Sequence, residues 1–91
     1  MYVVAASVSI QSGHEDEALE FLKANVVPRV KESPGLVAGY WLAPAGGHGY
    51  GLIVYESEEA AKAAAEMAKN SPQPESVTFD RIDVLEVVAS V

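Results

Sequence analysis

The 91-residue chain contains no cysteine. That excludes a disulfide framework and any thiolate metal site. Cations are scarce: 6 Lys and Arg stand against 13 Asp and Glu, a net charge of −7. Nucleic-acid partners are bound through a basic face, so this balance excludes one. Long apolar runs are missing as well. A membrane-spanning helix needs about 20 consecutive apolar residues, and the most apolar window, 36–55, is interrupted by Pro44, Gly46, Gly47 and Gly49. A secretory signal needs a basic start, whereas residues 1–10 hold no Lys or Arg and are broken by Ser7 and Ser9. The expectation is a soluble cytoplasmic protein with neither a membrane nor a nucleic-acid partner. What remains is ample core material: 49% of residues are apolar and 21% charged. This suits one packed domain spanning residues 1–91.

Periodicity divides that domain into six elements. Tyr2–Ile10 is rich in β-branched residues and reads as a strand. Ser12 and Glu15 have capping-box spacing, and Glu15, Asp16, Glu17 and Glu20 suit the positive end of a helix. Leu19, Leu22, Val26 and Val30 then form one apolar stripe. Pro28 cannot donate to the Ala24 carbonyl, so the helix should kink or restart there. Ser33-Pro34-Gly35 ends it. Residues 36–43 and 49–56 read as strands joined by the loop 44–48, with Gly46-Gly47 suited to the positive φ angles of a primed turn. Ser57 is a good N-cap for an Ala-rich helix to Lys69, with Ala60, Ala64, Met67 and Ala68 facing inward. Asn70 is expected to end that helix in the left-handed region. Residues 75–81 read as loop with a short extended piece, and 82–91 as the last strand. The order β-α-β-β-α-β implies a ferredoxin-like α+β fold: a four-stranded antiparallel sheet with two helices on one face.

A lone sheet of this kind should be polar on its uncovered side. The middle strands are apolar at both parities: Leu36, Ala38, Tyr40, Leu42 with Gly51, Ile53, Tyr55, and Val37, Gly39, Trp41, Ala43 with Tyr50, Leu52, Val54. Two helices cover one face only. An open apolar sheet face implies a partner, and a second copy packed face to face is the simplest one.

The β-α-β-β-α-β order, Ser33-Pro34-Gly35, and Val54-Tyr55-Glu56-Ser57-Glu58-Glu59-Ala60 together resemble the dimeric α/β-barrel superfamily, and within it the antibiotic-biosynthesis-monooxygenase-like domains. The resemblance covers nearly the whole chain. It implies a dimeric α/β barrel whose two sheets enclose a cavity, with activities that include cofactor-independent oxygenation of polycyclic aromatics and haem degradation. The Asn, Trp and His used by the haem-degrading members fall by position on Ser7, Tyr55 and Ala65. Alanine cannot ligate iron, so haem degradation is disfavoured. With Ser7 and Tyr55 facing the cavity, the implied lining is Val3, Ala5, Ser7, Ser9, Ala38, Tyr40, Ile53 and Tyr55, an apolar pocket carrying a few hydroxyls.

Groups able to do acid–base chemistry are few. Tyr55 could direct an aromatic substrate through its hydroxyl, against a role in dimer packing. His48, between glycines, is a residue type suited to acid–base work but reads more simply as an exposed turn residue. Glu86 interrupts an apolar strand; buried, it would be a raised-pKa base, and otherwise it protects an edge strand. Ser7 and Ser9 lack any His-Asp arrangement in the sequence and are poor nucleophiles. Trp41 has the opposite parity to Tyr40 and should pack under the helices. Residues 14–17 point in different directions on a helix and cannot share an ion. No metal and no cofactor are expected. The reading is a homodimer binding a small apolar or aromatic molecule. The alternatives are a cofactor-independent monooxygenase acting on an aromatic substrate and a purely structural dimerisation module whose cavity is packed shut.

Overall fold

The computed structural model describes the backbone of residues 1–91 and the side chains of all but 43–45. Four strands, β1 (Tyr2–Ile10), β2 (Leu36–Ala45), β3 (His48–Tyr55) and β4 (Val77–Glu86), form one antiparallel sheet in the order β2-β3-β1-β4. Two helical layers cover one face. The first runs without a break through α1 (Glu15–Phe21), a π-helical turn (Leu22–Val26) and α2 (Val27–Lys31); the second is α3 (Glu58–Asn70). This is the expected ferredoxin-like arrangement.

Local chemistry explains the element boundaries. The restart at α2 places Pro28 in the first turn, where its missing N–H costs nothing, and the turn before it widens to the π form. Gly46 and Gly47 take φ of 66° and 80°, and Ala45 pairs with His48. The hairpin loop is therefore two residues long, shorter than the expected 44–48, because the primed turn matches the strand twist. The Ser57 side chain accepts the Ala60 N–H at 3.2 Å and caps α3. Ser57→Ala should cost about 1 kcal/mol, seen as a lower urea midpoint with an unchanged slope; an unchanged midpoint would remove the cap.

Four expectations are corrected. Ser12 is not the N-cap of α1: Gly13 turns the chain at φ 85°, Glu15 reaches back to the Gly13 N–H at 2.7 Å, and His14 takes the cap position. Asn70 is not left-handed, since no non-glycine residue has positive φ among the described residues; α3 ends instead at Ser71 in extended backbone, with its hydroxyl donating to the Met67 carbonyl. The last strand begins at Val77 and ends at Glu86, five residues earlier than expected, because β1 pairs along its whole length from Tyr2↔Glu86 to Ile10↔Val77. Of the four residues expected on the inward edge of α3, Ala60 and Ala64 pack half-buried against the core and Ala68 is half-buried, while Met67 is exposed. That edge centres on Ala61 and Ala65, both buried. These two methyls let α3 lie close on β4, β1 and β3, where the core gathers Val4, Ile53 and Tyr55.

Candidate functional site

The two helical layers sit differently on the sheet. No residue of α1, the π turn or α2 is buried. This layer stands off the sheet and leaves a cleft of about 400 Å³ between them. Ala6, Val8, Gly49, Gly51 and Trp41 form its floor, Leu22, Val26 and Val30 its helical wall, and Ala64, Met67 and Ala68 of α3 its flank. The two glycines flatten the floor. A Cβ at residue 49 would lie 3.2 Å from Val8 Cγ2, and one at residue 51 would lie 3.3 Å from Trp41 Cδ1. The indole therefore lies against the bare backbone of β3, in space that a side chain at 51 would need.

Few polar groups enter this apolar space. Tyr55, 2% exposed, closes one end. Ser33 gives its single hydroxyl proton to the Val30 carbonyl at 2.6 Å, so the Tyr55 phenol is the donor in its 2.9 Å bond to Ser33 Oγ. That bond ties β3 to the chain leaving α2. The Trp41 indole N–H finds no hydrogen-bond partner among the described residues. Arg29, Val30 and Ser33 close α2 and the chain leaving it, at the end of the cleft tied to Tyr55. Glu15 and Asp16 open α1 just after Ile10 of β1, which pairs with Val77, and so belong to the opposite end. All of these residues line the cleft. Such a site can hold a flat apolar molecule and address it with a few directed groups.

No family model matches the chain, and no curated protein matches it in sequence. Solved structures do match over its full length. The haem-degrader MhuD of Mycobacterium tuberculosis, determined with two haems in its active site, has 25% identity and a TM-score of 0.72, covering 100% of this chain and 99% of that one. A dimeric ferredoxin-like protein from an uncultured marine organism has 15% identity and a TM-score of 0.64, covering 100% and 98%. A monooxygenase of Streptomyces coelicolor, ActVA-Orf6 with nanaomycin D, has 14% identity and a TM-score of 0.65, covering 99% and 89%. The chain has the fold of the antibiotic-biosynthesis-monooxygenase-like dimeric α/β barrels.

Within this fold the expected cavity lining divides between the two sheet faces. Val3 lies opposite Val54, Ala5 opposite Leu52, and Ser7 opposite Tyr50; Ala38 and Tyr40 likewise pair with Val54 and Leu52. Val3, Ala5, Ser7, Ser9, Ala38 and Tyr40 therefore belong to the open face. Ile53 and Tyr55 turn under the helices and line the cleft, so the eight residues cannot share one cavity. The alignment of Ser7 with Tyr55 on one face fails because an odd-numbered residue of β1 stands opposite an even-numbered residue of β3. Ala65 is buried beside Ile82 and Val84, away from the cleft.

The remaining candidates lie outside the cleft. Glu86 is exposed at the end of the edge strand β4 and is no buried base. Its carboxylate, with that of Glu58 second, opposes ionisation of Tyr2 and holds that phenol above its ordinary pKa. His48 opens β3 rather than sitting in a loop, and lies exposed on the open face with Ser9. The fold gathers a Ser, a His and an Asp that the sequence kept far apart: Ser9 donates to Asp80 Oδ2 at 2.6 Å, and His48 Nδ1 lies 3.6 Å from the same oxygen. Ser9 spends its proton on the carboxylate and meets His48 through the same Nδ1, at 3.4 Å. The histidine is thus not interposed as a relay.

Parity places Trp41 under the helices, and it is there; its role as cleft floor, and the position of Arg29 in the cleft, are not legible in the sequence. The available signal was Gly49-Tyr50-Gly51, since glycines alternating within a strand mark a face kept bare for close approach.

Proposed function

We propose that this protein is a homodimer that binds a flat, mostly apolar or aromatic molecule in the cleft between each sheet and its own first helical layer. The observation that carries the binding reading is the glycine-floored cleft. A side chain at 49 or 51 would have filled it, and a purely structural module would have no reason to keep about 400 Å³ open. The dimer reading rests on the open sheet face. Tyr40 is 60% exposed there, and Leu42, Tyr50, Leu52 and Leu85 are also exposed, together an apolar surface of the kind that marks an interface. No described helix is long and apolar enough to cross a membrane.

The ligand of the haem-degrading neighbours does not carry over. No histidine lines the cleft among the described residues, Ser7 lies on the other face, and Tyr55 is engaged with Ser33. Titration with the neutral probe biphenyl-4-carboxamide tests the reading, because Trp41 is the sole tryptophan and its emission should change on binding. Ala6→Ile fills the floor and should weaken binding about tenfold or more, a loss of roughly 1.4 kcal/mol. Binding that ignores Ala6→Ile would place the ligand elsewhere. Oxygen uptake with an oxidisable aromatic in the same cleft would favour the cofactor-free oxygenase over the binder.

A further inference from the structure

We propose that the cleft is selective for an elongated aromatic monocarboxylate, held with its carboxylate on Arg29 and its rings on the Gly49–Gly51 floor beside Trp41. The inference rests on the binding reading above and adds the charge and orientation of the ligand. Arg29 is half-buried and lines the cleft. It has no carboxylate within ion-pair distance among the described residues, in a chain with 13 acidic groups. Lys62, Lys69 and Arg81 are each matched to an acid, namely Glu58, Glu66 and Asp83, and the other two cations, Lys23 and Lys31, are exposed to water and do not line the cleft. A guanidinium remains charged in any protein setting, and its planar fork fits a carboxylate in a bidentate manner. Left unmatched beside apolar surface, it supplies what an incoming acid needs and what a net charge of −7 otherwise repels.

The opposite end has the reverse sign. Glu15 and Asp16 line it, so an anion is disfavoured there and the acid can enter in one orientation. The floor between the ends follows β1 from Val4 to Ile10, about 20 Å at strand rise. That length suits an extended molecule. Its bareness at Gly49 and Gly51 and the flat indole of Trp41 suit rings stacked against the sheet. The free Trp41 N–H adds a donor for a polar substituent part-way along.

Calorimetric titration of biphenyl-4-carboxylate and its neutral isostere biphenyl-4-carboxamide, at pH 7.5 and low salt, tests this. Wild type should bind the acid about ten- to a hundredfold more tightly than the amide, as expected for a charge-assisted hydrogen bond. Arg29→Gln should abolish that preference, bringing acid and amide to similar affinity, and Arg29→Lys should retain part of it. Equal binding of acid and amide by wild type, or a preference that survives Arg29→Gln, overturns the assignment to Arg29; with the amide still bound, the cleft reading stands. Failure of both compounds to bind overturns both.

Discussion

Leu52→Glu is expected to yield a folded monomer, and Ile53→Glu an unfolded chain. The two residues are adjacent in β3 and point to opposite sides of the sheet. Leu52 is 41% exposed on the open face, between Ala5 and Tyr40 in register. In a two-fold dimer each such glutamate would be buried at the contact, and symmetry doubles the cost. An uncompensated buried charge costs about 3–5 kcal/mol, so two of them exceed what a modest interface can absorb. Ile53 is 7% exposed and packs with Val4, Ala61 and Ala65. The same charge there comes out of a total stability of about 5–15 kcal/mol. Light scattering after gel filtration reads the first result and circular dichroism the second. A persistent Leu52→Glu dimer would move the contact off this face. A folded Ile53→Glu protein would contradict the assignment of β3 parity.

Gly35→Ala should destabilise the domain far more than Gly13→Ala. Both glycines have positive φ, 78° and 85°, so both substitutions carry a left-handed penalty of about 1–2 kcal/mol. A Cβ at residue 35 would also lie 2.9 Å from the Ala60 Cβ, whereas one at residue 13 meets nothing within 4 Å. Relief requires moving either α3 or the Gly35 backbone, whose carbonyl accepts the Glu56 N–H at 2.8 Å. Overpacking of this kind adds about 1–3 kcal/mol. The Gly35 variant should thus lose about 2–5 kcal/mol in all, and melt on the order of 10 °C or more below wild type. Because Gly35 follows Ser33, the Ser33–Tyr55 bond that closes one end of the cleft should loosen with it. Equal losses at the two positions would show that the approach to Ala60 is unimportant.

These outcomes turn on which contacts were visible in the sequence. Ser57 capping α3, Gly46-Gly47 forming the hairpin and Pro28 restarting a helix are decided by neighbours a few residues apart, and all three were readable. So was the element order, and with it the ferredoxin-like sheet. The position of β4 was not, because a 10-residue apolar stretch pairs with β1 in more than one register, and only the full-length ladder from Tyr2 to Ile10 selects Val77–Glu86.

The sequence by itself determined that the middle strands are apolar on both sides and that the helices cover only one. It left open which parity of β3 goes inward. A strand apolar on both sides is nearly unchanged in hydrophobic energy by a one-residue shift, so Ile53 and Tyr55 can be assigned to either face on composition alone. The tertiary structure broke that tie through the pairing of β3 with β1 and the seating of Ala61 and Ala65 on the sheet. It also decided the site. The cleft exists because one helical layer presses on the sheet through methyl groups while the other stands off it, and the separation of Arg29 from Glu15 and Asp16 along the cleft follows from how that second layer runs across the strands. Both are long-range facts, set by how whole elements dock and not by any neighbour in the chain.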